Sequence, residues 1–256
     1  MPPVNRPVRR AFARAAVNYE AAAQFQRDCG ERLGDGLPDL ASPRRALDLG
    51  CGTGRGGALI AERWPGCEIV AVDFALPMLR QLPPGPRAMA VCADAAAVPL
   101  AGDGFDLVWS NLTLQWCEPA LFFTEAARLL RPGGLLAAST LGPATFCELR
   151  AAFAAADDYR HTIAFSGEAE LRRQLAGAGL QLRALRREAQ TRHYDRLPAL
   201  LAEVRDIGAN AVGGAAVRRG LMGKSTWSRF ADAYERQRQG PGLPLSYEAL
   251  FIYAGK

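Results

Sequence analysis

Short runs of consecutive apolar residues alternate along this chain with longer stretches in which apolar positions recur every three or four residues. The runs are Ala46–Leu49, Ile69–Val72, Ala88–Cys92, Phe105–Ser110 and Leu135–Thr140, with the length and mainly apolar character of buried strands. Between them, Gly57–Arg63, Pro77–Gln81 and Pro119–Leu130 carry helical periodicity. Such alternation predicts an α/β fold, a doubly wound and mostly parallel sheet. A helical stretch, Val8–Leu33, precedes the first strand across a Gly/Pro-rich link at residues 34–43. Beyond Leu141 the pattern predicts a helix over Pro143–Ala156, another at Gly167–Ala178, a strand at Leu180–Arg187 and a helical excursion from Arg196 to Arg238. A closing strand, Tyr247–Ala254, follows the turn Gly240-Pro241-Gly242. One domain is expected: residues 1–36 a helical cap, 44–140 the binding core, 141–166 a lid, and 188–245 a helical insertion before the last strand.

Composition narrows the class. The 256 residues are 49% hydrophobic and 22% charged, which excludes a disordered chain, a collagen-like repeat and a small disulfide-stapled scaffold. Asp94 interrupts the greasiest stretch, Ala88–Leu100, so no run reaches the ~18–20 residues of a membrane helix and no membrane partner is expected. Cys29, Cys51, Cys67, Cys92, Cys117 and Cys147 form no C-x-x-C pair; they read as small buried hydrophobes, and no metal site is expected. Met1–Arg10 is basic but lacks the apolar region and cleavage site of a secretory signal, which predicts the cytoplasm.

Charge is unevenly spread. Residues 1–139 carry 14 basic and 14 acidic side chains, and residues 140–256 carry 17 against 12, so the whole excess of +5 lies in the later part. Only Lys224 and Lys256 are lysines; the remaining cations are arginines, suited to bidentate grip on carboxylate or phosphate. The expectation is an acidic partner facing a patch drawn from Arg183, Arg186, Arg187, Arg192, Arg218 and Arg219.

The chemistry concentrates at predicted strand ends. Leu47-Asp48-Leu49-Gly50-Cys51-Gly52-Thr53-Gly54 falls where the first strand gives way to the first helix. Gly50 permits a tight turn, Gly52 lets a ligand approach the backbone, and amides at the helix start favour an anionic group. Gly54 follows Gly52 by two residues, not the three of the dinucleotide fingerprint, and Asp48 precedes the turn. That suits a small carboxylate such as the methionine end of S-adenosylmethionine. Asp73, with Phe74 beside it, ends the second strand 21 residues after Gly52, near the spacing at which an acid accepts from both ribose hydroxyls. Past the third strand, Asp94 and Ala95 stand where a carboxylate could accept from the adenine amine, although Asp94 reads equally as a helix N-cap. Asn111 ends the fourth strand, with Gln115 and Trp116 one helical turn on, at the edge where open α/β sheets keep their ligands. Leu130-Arg131-Pro132-Gly133-Gly134 reads as a helix stop and tight turn with a structural role.

In this order the pieces resemble the class I S-adenosylmethionine-dependent methyltransferases over residues 44–140. Further segments extend the likeness over nearly the whole chain: Phe12-Ala13-Arg14-Ala15-Ala16 through Tyr19, Ser110-Asn111-Leu112 with Leu114-Gln115-Trp116-Cys117, Ser139-Thr140-Leu141-Gly142-Pro143 with Glu148-Leu149-Arg150, and Ile207-Gly208-Ala209-Asn210. Together these are similar to the malonyl-[acyl-carrier-protein] O-methyltransferase family of biotin biosynthesis. The resemblance implies S-adenosyl-L-methionine as cofactor. It also implies methylation of the free carboxylate of a malonyl thioester, carried on acyl-carrier protein or coenzyme A, so that elongation enzymes accept the masked acid as a primer. One departure is Ala75, which holds the Ser position of the family's Asp-x-Ser-x-x-Met-Leu before Met78-Leu79, removing an N-cap at about 1 kcal/mol.

Methyl transfer to a carboxylate requires no general base, since a group with a pKa near ~4 is already ionised at neutral pH. His161 and His193 accordingly lie outside the strand-edge motifs. Under the resemblance, Tyr19 and Trp116 are candidates to wall the methyl group, and Arg150 and Arg14 to grip the substrate carboxylate. Two other readings stand beside this one: a carboxyl or ring-carbon methyltransferase acting on a free small molecule, and a non-methylating assembly factor that binds the same cofactor. No nucleic-acid partner is expected, because no Asn/Asp-Pro-Pro-Tyr motif appears and the basic excess is modest. A monomer is expected.

Overall fold

A computed structural model describes residues 6–15, 23–38, 42–83, 88–206 and 222–256. Helices α1 (Arg6–Ala15) and α2 (Gln24–Asp35) precede strand β1 (Arg45–Leu49). There follow α3 (Arg55–Arg63), β2 (Glu68–Asp73), the short α4 (Leu76–Leu79), β3 (Ala88–Cys92) and β4 (Phe105–Ser110). A 3-10 turn, Leu114–Trp116, leads to α5 (Pro119–Leu129) and β5 (Leu130–Leu141). The chain continues through α6 (Cys147–Ala154), α7 (Glu168–Gly177), β6 (Gln181–Tyr194), α8 (Leu197–Asp206), α9 (Lys224–Glu235) and β7 (Leu243–Gly255).

The strands form one sheet in the order β3-β2-β1-β4-β5-β7-β6. Pairs β1–β2, β1–β4, β2–β3 and β4–β5 are parallel, and β7 runs antiparallel to β5. This is the doubly wound, mostly parallel architecture expected from the pattern. The order reverses between β1 and β4, which places a crevice beyond their carboxyl ends, where such sheets bind ligands. Leu47, Leu49, Val70, Val72, Val108 and Leu136 are fully buried, as mainly apolar runs require for strands covered by helices on both faces. No helix among the described residues is long and apolar enough to cross a membrane.

Three elements differ from expectation. Phe105 pairs with Leu130 but Leu107 with Leu135, so the turn-like Arg131–Gly134 bulges out of the ladder between paired residues, Gly133 taking φ 80°. β5 therefore begins at Leu130, not Leu135. β6 runs on past Arg187 to Tyr194. It ends the sheet, and its later residues (Glu188, Gln190, Arg192) show the charged, alternating character of an edge strand rather than a buried apolar run. Finally, α6 starts only at Cys147, because Gly142 and Phe146 donate to the Glu248 and Ser246 carbonyls and Phe146 adopts φ 58°.

The chain divides into two compact units. One comprises residues up to Leu141 with Ser166–Arg187 and Ala249–Lys256; the other comprises Gly142–Phe165 and Glu188–Glu248. The first contains the apolar core of the sheet. In the second, α6 and α9 pack through Phe153 and Phe230, whose rings stack at 4.1 Å, and His161 stacks on the other side of Phe153 at 3.8 Å.

Candidate active site

The turn after β1 is shaped by three glycines with positive φ: Gly50 (78°), Gly52 (52°) and Gly54 (95°). A Cβ on Gly50 would overlap the Thr113 side chain, so this position requires glycine for space as well as for backbone conformation. The Gly50 and Cys51 amides both donate to the Val72 carbonyl, at 2.7 and 2.9 Å, tying the turn to the end of β2. Gly54 is the N-cap of α3 and has no side chain to accept from the helix's first amides. Asp48 supplies that acceptor from β1: its Oδ2 takes the Gly57 amide at 2.7 Å. The residue is 2% exposed, and burial pushes its carboxyl up to about 7, the Gly57 bond opposing and the Asp73 charge adding to the rise.

Asp73 closes β2 and holds two loops at once. Its Oδ2 accepts from the Gly52 amide at 3.0 Å and its Oδ1 from the Ala75 amide at 2.8 Å. Burial raises its pKa, against these two bonds. Each carboxylate oxygen has a second lone pair, so capacity to accept from a ligand remains. Ala75 is the N-cap of α4 and makes no side-chain capping bond, as the sequence departure implied. Asp94 bonds the Ala96 amide at 2.9 Å, and Ala97 donates to its carbonyl; the segment makes a tight turn, not the helix N-cap that was its alternative reading.

These elements surround a cavity that is open at its mouth. Seven of the residues singled out as cofactor contacts line it: Gly50, Gly52, Asp73, Phe74, Asp94, Ala95 and Asn111. Trp116, singled out for the methyl site, lines it as well. Three do not. Asp48 and Gly54 serve the start of α3, while Gln115 donates to the Leu112 carbonyl at 2.8 Å and accepts from Thr140 at 3.3 Å. Asn111 reaches the cavity with its amide committed on both sides, donating to the Gln26 carbonyl at 2.8 Å and accepting from Ser139 Oγ at 2.6 Å. It joins β4, β5 and α2 behind the cavity wall. Next to it Leu112 takes φ 52°, an uncommon conformation for a branched residue, pinned by bonds from its amide to Ser139.

Sequence reasoning missed the wall supplied by α1. Val8 and Phe12, four apart and so on one face of the helix, both line the cavity. The Phe12 ring lies edge-on to Phe74 and Trp116, with centroids 5.9 and 5.4 Å away. The i, i+4 spacing was visible, but nothing local said what that face covers. Cys117, also lining, is pushed up to about 12 by burial with Asp94's charge adding, so its thiol is no nucleophile at neutral pH. Among the described residues no cluster of His, Cys, Asp or Glu could hold a metal ion.

The remaining candidates stand elsewhere. Arg150, at the start of α6, donates to the Pro143 and Thr145 carbonyls of its own segment. Tyr19, Arg218, Arg219, residues 207–210 and the side chain of Arg14 lie outside the described residues. The expected arginine patch is corrected at one position, Arg192, whose charge Glu203 offsets, whereas Arg186 is exposed and bonded to neutral groups. Arg186 donates to the Arg32 carbonyl and Tyr253 hydroxyl, both at 3.1 Å, and lies over the Phe251 and Tyr253 rings; Arg192 pairs with Glu203 at 2.8 Å. Both guanidiniums are engaged within the fold, which the sequence, showing only a run of arginines, could not reveal.

Comparison with known proteins places this geometry. A family model described as a methyltransferase domain matches residues 47–138. The chain is 42% identical over 249 residues to the malonyl-[acyl-carrier protein] O-methyltransferase of Dechloromonas aromatica (strain RCB), covering 97% of this chain and 94% of that one. It is 38% identical to the biotin biosynthesis bifunctional protein BioHC of Cellvibrio japonicus (strain Ueda107), covering 96% of this chain and 49% of that protein. Among solved structures, it superposes on a geranyl diphosphate C-methyltransferase from Streptomyces coelicolor A3(2), determined with S-adenosyl-L-homocysteine, Mg2+ and geranyl diphosphate bound. The TM-score is 0.52 at 16% identity, over 88% of this chain and 77% of that one, a likeness of fold.

Proposed function

Because the chain belongs to the malonyl-[acyl-carrier protein] O-methyltransferase family, we propose that it methylates the free carboxylate of a malonyl thioester, using S-adenosyl-L-methionine, to make the ester primer of biotin synthesis. The observation that carries this reading is the near full-length match at 42% identity to a relative of that name. The cavity's donor set fits the cofactor. Gly50 and Gly52 bring main chain to its methionine end, Asp73 has lone pairs for the ribose, and Asp94 with Ala95 stands at the adenine end. When bound, the cofactor supplies an electrophilic methyl group.

The protein's part is then positional. An ionised carboxylate needs no base, so catalysis rests on holding its oxygen about 3–3.5 Å from the methyl carbon and keeping water out. Val8, Phe12, Phe74 and Trp116 give the cavity apolar walls for that purpose. Arg150 and Arg14 are the proposed grips on the substrate carboxylate, with Tyr19 at the methyl site. Arg150 retains donors beyond the two it spends on carbonyls. The acyl-carrier protein is the proposed partner in the cytoplasm, met by arginines other than Arg192.

Mass spectrometry of malonyl-carrier protein and of malonyl-coenzyme A, each incubated with the protein and the methyl donor, tests the reading. Gain of one methyl on either supports it, and no gain on both overturns it. In the same preparation, Asp73→Ala should weaken cofactor binding by about 1.5–3 kcal/mol, the range for hydrogen bonds to a charged group.

A further inference from the structure

The cavity walls combine two features that favour one kind of ligand charge. The charged groups lining it are the carboxylates of Asp73 and Asp94, and among the described lining residues none is basic. Three aromatic rings, Phe12, Phe74 and Trp116, stand beside them. Phe12 is nearly perpendicular to Trp116, at 86°, and inclined at 63° to Phe74, so the rings form adjoining walls rather than one stacked slab. Carboxylates and aromatic faces both attract cations, the second through the ring quadrupole and more strongly where water is excluded.

The cofactor of the proposed reaction is a sulfonium cation, and its demethylated product differs from it by one methyl group and one positive charge. We propose that this cavity tells fresh cofactor from spent product by charge, and that Phe12 is the specificity-determining ring. This rests on the cofactor reading above and deepens it. Phe12 is the ring that touches both of the others. It also enters from α1, whereas Phe74 lies between Asp73 and Ala75, which are bonded to each other, and Trp116 sits in a 3-10 turn with its amide on the Thr113 carbonyl. Phe12 can therefore be altered without disturbing the glycine turn or the Asp73 bonds. A functional consequence follows: transfer discharges the site, which weakens the hold on the product and favours exchange.

Titration calorimetry with three probes tests this on the intact protein: S-adenosylmethionine, S-adenosylhomocysteine, and sinefungin, whose protonated amine keeps the charge without a transferable methyl. The wild type should bind the two cationic probes about 10-fold more tightly than the neutral one. Phe12→Leu should weaken both cationic probes about 5-fold and leave the neutral one within about 2-fold, while Phe12→Tyr, which keeps the ring, should behave as wild type. Equal weakening of all three by Phe12→Leu would make the ring a mere cover and overturn the inference alone, as would a wild type that binds the neutral probe as tightly as the cations. A wild type that bound none of the three would overturn the cofactor reading itself. Should Phe12→Leu fail to fold by circular dichroism, Phe12→Met, which fills the same space flexibly, decides the same comparison.

Discussion

Around the cavity, buried carboxylates take their hydrogen bonds from the main chain, whereas in the unit formed by Gly142–Phe165 and Glu188–Glu248 the Glu203 carboxylate takes its bonds from side chains. Asp48 accepts from the Gly57 amide, and Asp73 from the Gly52 and Ala75 amides. Glu203 accepts from Tyr194, from Tyr247 at 2.7 Å and from Arg192 at 2.8 Å, drawing β6 and β7 onto α8. Burial and the neighbouring carboxylate raise the pKa of both tyrosines, so each remains a hydroxyl donor. The first arrangement fixes the path of loops that must present amides to a ligand. The second fixes which elements pack together and says nothing about loop shape. The two should therefore fail differently when disturbed: backbone changes harm the first most, and loss of a side-chain partner the second.

The largest effect is expected at Gly50. Gly50→Ala would force an L-residue to φ 78° and drive its Cβ into Thr113. Strain of about 1–2 kcal/mol and overpacking of similar size should together cost about 2–4 kcal/mol, read as a lower urea midpoint at unchanged slope. Adding Thr113→Gly should restore about half, because the clash goes and the backbone strain stays. A single variant within about 1 kcal/mol of wild type would mean that the turn is not fixed as described.

Glu203→Ala comes next. It strands the Arg192 charge and two tyrosine hydroxyls in a half-buried site and should cost about 2–3 kcal/mol, while Glu203→Gln, which keeps an acceptor oxygen, should recover about 1 kcal/mol of it. Neither change should alter binding of the methyl donor. A loss of cofactor affinity as large as the loss of stability would break the contrast between the two regions.

Legibility in the sequence follows the same contrast. β1, β2, β4 and β5 are visible because each is a largely apolar, buried run, whereas β3, read the same way, is an edge strand with Met89, Ala90 and Cys92 exposed; the Gly50, Gly52 and Asp73 spacing is visible because one turn and one strand end fix it. Asp48 is conspicuous but its task is not, since it caps a helix nine residues on in place of the uncapping Gly54. The later half of β6 is hidden, because an edge strand needs no apolar signal. Phe12 is hidden because its partners, Phe74 and Trp116, lie far off in sequence. Glu203 is hidden for the same reason: Tyr247 is 44 residues away, and no periodicity links a helix glutamate to a strand tyrosine.

The smallest effect is a pH dependence at Asp48, and its sign is opposite to that of an ordinary paired aspartate. Burial pushes the folded carboxyl up to about 7, whereas an aspartate in the unfolded chain titrates near 3.8. Between these values the folded protein holds a proton that the unfolded chain has released, so stability falls as pH rises. The contribution is fully present below the unfolded pKa, declines at about 1.4 kcal/mol per pH unit, and is lost as pH passes through the folded value. Asp48→Asn removes the titration while its amide oxygen can still accept from Gly57, so the glycine turn and α3 should persist. The unfolding free energy of the variant relative to wild type should then rise by about 2 kcal/mol between about pH 5 and about pH 7, measured by urea denaturation across that range. If the two proteins keep the same pH dependence, Asp48 is ionised throughout, and the Gly57 amide stabilises its charge more than burial opposes it.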